Sequence, residues 1–143
     1  MAATFNKFNQ FVADIANKVH NLGSDTMKVM LSNTAPSASN AVKADITEIS
    51  AGNGYTAGGN SAAITSATQT GGVMKLVLAN PATWTASGGS IGPFRYAVLY
   101  NDTPSSPLKP LIGWYDYGSS ITLAAGEQFQ VAFDATNGVF TIT

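Results

Sequence analysis

The chain has no cysteine and only one histidine in 143 residues. Without thiols it can form no disulfide, no thiolate metal site and no cysteine nucleophile, so resistance to unfolding must come from packing, strand hydrogen bonds or assembly. His20 has no Ser-containing nucleophile elbow to serve, which gives it little standing as a catalytic base. Charge is scarce as well: 10% of residues are charged, against about 25% in an average soluble protein. A free monomer usually keeps more charge outside, so the shortage points to a surface partly covered by other copies or by a partner. The seven basic residues are scattered singly and the net charge is −1, which leaves no electrostatic footprint for gripping phosphate backbones. Direct nucleic-acid binding is therefore not expected. No apolar run approaches the roughly 18 residues of a membrane span. The N-terminal residues also lack a basic start followed by an apolar core and cleavage site, so the expectation is a cytosolic product with no membrane partner.

What the chain does contain is short apolar segments separated by Gly, Pro, Asn and Ser, with 45% hydrophobic residues and fourteen glycines. The stretch 92–103, Gly-Pro-Phe-Arg-Tyr-Ala-Val-Leu-Tyr-Asn-Asp-Thr, reads as the central strand. Phe94, Tyr96, Val98 and Tyr100 alternate with Arg95, Ala97, Leu99 and Asn101, so both faces are largely covered. Further strands are expected at 26–33, 62–69, 73–79, 82–86, 111–117, 121–123, 128–133 and 139–143. Turns at Gly118-Ser-Ser and at Asp134 to Gly138 punctuate the last of them. The fold class is mainly β: an antiparallel sandwich or jelly-roll-like barrel with one N-terminal amphipathic helix, forming a single domain over 1–143.

Residues 4–22 carry the helical pattern. Phe5, Phe8, Val12, Ile15, Ala16, Val19 and Leu22 form an apolar stripe with Phe11 beside it, Thr4 is a candidate cap, and Gly23 closes the end. Residues 1–23 are thus expected to be a helical arm, packed on its own subunit or laid on a neighbour, ahead of a β-domain over 26–143. Regularity then fails from Thr34 to Asn60, where a loop with one short helical turn around 45–49 is expected. Loops of more than about a dozen residues in compact domains are commonly functional. Tyr55 is the expected anchor of this loop, since its ring can be buried while its hydroxyl stays bonded. The candidate intersubunit or capsid contacts are Phe5, Phe8, Phe11 and Val12 on the arm and Tyr55, Gly58 and Gly59 in the loop.

The pairs Gly52/Gly54 and Gly58/Gly59 lack the Gly-Lys-Ser/Thr ending of a phosphate loop and read as turn makers. Asp116 and Glu127 are conceivable partners in glycoside hydrolysis, but most acidic residues sit in turns. Asp134 and Asn137 supply too few oxygens for calcium. Trp84, Trp114, Tyr115 and Tyr117 read first as core aromatics and second as a platform for sugar rings. No catalytic residue, metal site or cofactor is assigned.

Several motifs carry a resemblance over nearly the whole length: the Phe5-Asn-Lys-Phe-Asn9 segment, His20-Asn-Leu-Gly23, Lys28-Val-Met-Leu-Ser-Asn-Thr-Ala-Pro36, Gly54-Tyr-Thr-Ala-Gly-Gly59, Ala97-Val-Leu-Tyr-Asn-Asp-Thr103 and Phe133-Asp-Ala-Thr-Asn-Gly138. The chain resembles small virion structural proteins of tailed bacteriophages, of the capsid decoration or cement kind. That resemblance implies a non-enzymatic protein of the capsid surface, assembled in the host cytoplasm. It would bind the major capsid protein and form homo-oligomers, as dimers or trimers. The alternative is a tail or tail-fibre module that binds a host glycan.

Overall fold

The strand expected at 92–103 lies in the middle of the architecture. The computed structural model describes residues 2–143. Numbered along the chain, its strands are β1 (Asn6–Lys7), β2 (Met27–Ser32), β3 (Asn60–Ala62), β4 (Ile64–Thr70), β5 (Val73–Leu78), β6 (Trp84–Thr85), β7 (Ile91–Asn101), β8 (Leu111–Leu123), β9 (Gln128–Phe129) and β10 (Phe140–Ile142). One helix, α1, spans Gln10–Ala16. A five-stranded sheet runs in the order β1-β8-β7-β2-β3, a three-stranded sheet in the order β10-β5-β4, and β6 pairs with β9. Every pairing is antiparallel. The result is a β-sandwich rather than a closed barrel.

Composition explains why β7 is central. Its front face sends Phe94, Ala97 and Leu99 into a core shared with Val29 and Leu31 of β2, Leu76 and Leu78 of β5, and Trp84 of β6. Its back face sends Val98 and Tyr100 into a second core with Met30, Leu111, Phe8 and Ile46. Burying side chains of this size stabilises by about 1.5–3 kcal/mol each, and a strand loaded on both faces has no low-cost exposed position. The alternation read from sequence holds from Tyr96 to Tyr100. Phe94 departs from it and joins the front core, because the pairing with β8 shifts register between Phe94 and Tyr96. Between these pairs β7 advances two residues while β8 runs five, from Asp116 to Ile121, and such an irregularity disrupts the ladder and re-aims the side chains around it.

The long helix expected at 4–22 is not formed. Asn6 and Lys7 pair with Trp114 and Gly113 on the edge of β8. The Phe8 N–H then bonds the Ile112 carbonyl at 3.2 Å and the Asn9 N–H bonds the Ala38 carbonyl at 2.9 Å. Only seven helical residues follow. Thr4 and Gly23 therefore lie well outside the helix they were expected to cap, and Lys18 and His20 lie beyond its end. The physical reason is that Phe5, Phe8 and Phe11 do not share a destination. Phe5 and Phe11 belong to the front core and Phe8 to the back core, which a single helical stripe cannot satisfy. An isolated helix of this length is marginal in water, so tertiary burial decides the conformation.

Two further boundaries differ. The turn expected at Gly118-Ser-Ser is absorbed into a continuous 13-residue β8, whose Gly118 has φ +100°. The strand expected at 128–133 is hydrogen-bonded as a strand only at Gln128–Phe129. Its alternation survives, with Phe129, Val131 and Phe133 half-buried and Gln128, Gln130 and Ala132 exposed. The turn at 134–138 forms as expected, but the strand after it joins β5 instead of folding back on 128–133.

Candidate contact surface

The 34–60 loop contains no strand before Asn60 and one 3-10 turn at Lys43–Asp45, slightly ahead of the expected helical turn. It closes the back of the central sheet by inserting Ile46 into the second core. Glu48 organises the rest. One carboxylate oxygen accepts from the Tyr55 hydroxyl at 2.7 Å and from the Gly58 N–H, while the other accepts from Lys43 Nζ at 2.7 Å. Burial alone would raise the Glu48 pKa, but the bonds from Lys43, Tyr55 and Gly58 outweigh it and hold the carboxyl below its ordinary value. The Tyr55 hydroxyl also accepts the Leu31 N–H at 3.0 Å, which ties the loop to β2. Burial pushes the Tyr55 pKa well up. Tyr100 completes the brace by donating to the Gly58 carbonyl at 2.7 Å.

These bonds correct part of the contact assignment. Tyr55 is the expected anchor of its loop, but at 2% exposure it offers nothing to a partner. Gly58 is buried, and Gly59 lies against β2 with φ +75°, where a Cβ would stand 1.8 Å from the Val29 carbonyl oxygen. On the arm, Phe8 is fully buried and Phe11 nearly so. Phe5 is half-buried between Tyr115 and Phe140, each with its ring centroid 5.7 Å away, over a Gly113 that leaves space for its ring. Val12 is the one arm candidate that stays outside, 54% exposed. The arm and loop candidates act mainly as internal ties.

A buried polar knot sits behind α1. Asn101 Oδ1 accepts the Thr103 N–H at 3.0 Å, which fixes its amide so that Nδ2 donates to Asp25 and faces His20 Nδ1 at 3.1 Å. His20 Nδ1 must then accept, leaving the hydrogen of the neutral ring on Nε2. Nε2 faces Asp14 at 4.0 Å, too far for a hydrogen bond. Burial lowers the His20 pKa more than Asp14 and Asp25 raise it.

All eight carboxylates are engaged within the chain. Asp116 holds Arg95 through two bonds of 2.7 and 3.0 Å, and its pKa is lowered chiefly by that partner. Asp102 holds Lys28 and Lys109, each at 3.1 Å. Asp45, Asp134 and Glu127 accept backbone N–H groups of their own turns. Asp14 accepts from Gln10, Asp25 from Asn21 and Asn101, and Glu48 as described. Asp116 and Glu127 thus have separate structural duties. Among the described residues no cluster of three or more His, Cys, Asp or Glu side chains could hold a metal ion, and no helix is long and apolar enough to cross a membrane.

The aromatics divide. Trp84 is buried and Trp114 packs against Phe8, so neither is a free platform. Tyr115 and Tyr117 of β8 line a groove of about 490 Å³, together with Phe5, Phe129, Phe133 and the 130–132 segment. Tyr117 is 56% exposed, and burial pushes the Tyr115 pKa up to about 12. Leu108, 62% exposed, is a surface residue that sequence reasoning passed over, since nothing in its Pro-rich surroundings marks it. Comparison with protein-family models, with curated proteins and with solved structures gives no match for this chain.

Proposed function

We propose that this chain is a non-enzymatic structural protein of a tailed-bacteriophage virion, a capsid decoration or cement protein that binds the assembled head through the major capsid protein. The sequence resemblance supplies the class. The observation that carries it furthest is the internal use of charge. All eight carboxylates are bonded within the chain, and Lys28, Lys43, Arg95 and Lys109, four of the seven basic residues, are held in ion pairs. Apart from Lys7, Lys18 and Lys75, which have no acidic partner within 4.0 Å among the described residues, the contacts left for a partner are mainly uncharged, and salt does not screen those. Individually weak contacts of this kind become strong when symmetry repeats them over a lattice. The loop and arm ties give a stiff module that loses little freedom on docking.

The test is to add purified protein to capsids that lack it and to measure their resistance to heat. Binding only the assembled state stabilises that state by mass action, so the capsid transition should rise with protein concentration and saturate. An unchanged transition, with no protein co-sedimenting with capsids, overturns the reading. The second reading, a tail or tail-fibre module for a host glycan, is favoured by the half-open groove beside the exposed Tyr117. Specific glycan binding abolished by Tyr117→Ala, together with inert capsids, would put it first.

A further inference from the structure

The terminal strands of the three sheets give six edges, five of them very short; the remainder of β8 beyond its two residues under β1 is also unpaired, but that stretch carries the charged Asp116 and the positive-φ Gly118. β1, β6 and β9 have two residues each, and β3 and β10 have three. Shortness is one of the ways a protein keeps its edges from recruiting other strands. β4, at the outer edge of the three-stranded sheet, has seven. It also lacks the other common guards. Its sequence, Ile64-Thr-Ser-Ala-Thr-Gln-Thr70, has neither charge nor proline. The single irregularity lies between Ile64 and Ser66, so Ser66–Thr70 runs in unbroken register against Val77–Val73. In an antiparallel ladder alternate residues turn their N–H and C=O groups away from the one partner they have, and here no strand receives them.

We infer that β4 pairs antiparallel with β4 of a second copy, joining two three-stranded sheets into one of six strands across a two-fold axis. Self-pairing is demanding because each side chain meets its own kind. A charged strand would set like charges opposite one another, which destabilises the pair. β4 has none. Its hydroxyls suit the reverse: Ser66 Oγ and Thr68 Oγ1 already lie 3.2 Å apart along one face, and Thr and Ser pairs across strands are favourable. The nearest charge on the neighbouring strand, Lys75, is turned to the Thr136 carbonyl at 2.8 Å. The hairpin tip, Gly71-Gly72, is exposed and leaves the edge clear. The pairing specifies the self-association contained in the capsid reading, but it is measured without capsids, so the two fail separately.

The absence of native cysteine makes the test clean. Single Ala67→Cys, Thr68→Cys and Gln69→Cys variants are oxidised mildly, with Ser119→Cys on exposed β8 as the control, while wild type and Gln69→Lys are examined by sedimentation equilibrium. Wild type should have twice the chain mass, unchanged at high salt. Covalent dimer should form at one or two neighbouring β4 positions, where Cα atoms on the axis come within disulfide reach, and not at Ser119. Gln69→Lys should weaken the dimer about tenfold or more with its circular dichroism unchanged. If that variant fails to fold, the cross-linking pattern still decides. A wild-type monomer at roughly 100 µM, a trimer, or a dimer that cross-links at Ser119 but not in β4 each overturns the pairing. A monomer whose lysine variant loses capsid binding overturns it in favour of a capsid strand as the partner.

Discussion

Replacing Tyr55 with Phe removes one oxygen from the centre of the loop brace and leaves the ring in place. The apolar burial beside Trp84, with ring centroids 6.4 Å apart, is kept. Two hydrogen bonds disappear. The Leu31 N–H, on a residue with 0% exposure, loses its acceptor, and a buried donor left unpaired costs about 1–3 kcal/mol. Glu48 loses one of three donors but keeps Lys43 and the Gly58 N–H, so its share is smaller. The sum is about 2 kcal/mol, which for a chain of this size lowers the melting temperature by about 6–8 °C. Thermal and urea unfolding followed by circular dichroism measure it, and the urea slope should stay constant because no extra surface is exposed. The pH dependence gives a second reading of the same bond. A carboxyl held below its ordinary pKa in the folded state contributes stability that is present above that ordinary value and lost as pH falls through the folded one. Without the Tyr55 hydroxyl the Glu48 pKa returns toward the ordinary value, and the acid-side loss becomes shallower. A melting temperature within about 1 °C of wild type, with an unchanged acid limb, would refute the brace.

His20 gives a different pH signature: its folded pKa is depressed by burial, so its contribution is present above the ordinary histidine pKa of 6.5 and lost as pH falls through the folded value. Urea midpoints taken between pH 7.5 and 5 should decline, and His20→Gln should flatten that part of the decline. Gly59→Ala forces a Cβ onto the Val29 carbonyl at φ +75°, and the strain plus clash should cost about 2–4 kcal/mol, measured as a lower urea midpoint. Gly52→Ala, where a Cβ meets nothing at φ +128°, should cost visibly less.

Much of the sandwich was legible because strands loaded on both faces announce themselves. Val29 and Leu31 alternate with Met30 along β2, and the two cores divide them that way. The failures fall where hydrogen bonding, rather than hydrophobic spacing, decides the local structure. Gln128–Phe133 alternates like a strand, yet β10 takes its ladder partners from β5 and leaves residues 130–133 without a strand beside them. Gly118 reads as a turn, but a positive φ inside a long strand serves equally well to absorb an irregular register.

The N-terminal segment shows why the contact residues were harder to place than the fold. Its phenylalanines at 5, 8 and 11 fit a helical stripe as well as they fit two different cores. Spacing reports that a side chain seeks burial and is silent about which surface buries it. What separates the alternatives lies more than a hundred residues away: the open edge of β8, the space above Gly113, and the ring of Trp114 4.6 Å from Phe8. Tyr55 poses the same problem within the loop, since an aromatic ring among glycines is equally good as an anchor or as a contact. Glu48, seven residues earlier, decides it. A carboxylate that collects Lys43, Tyr55 and Gly58 turns the loop inward, and the residues that read as a binding surface become the means by which the chain holds that surface still.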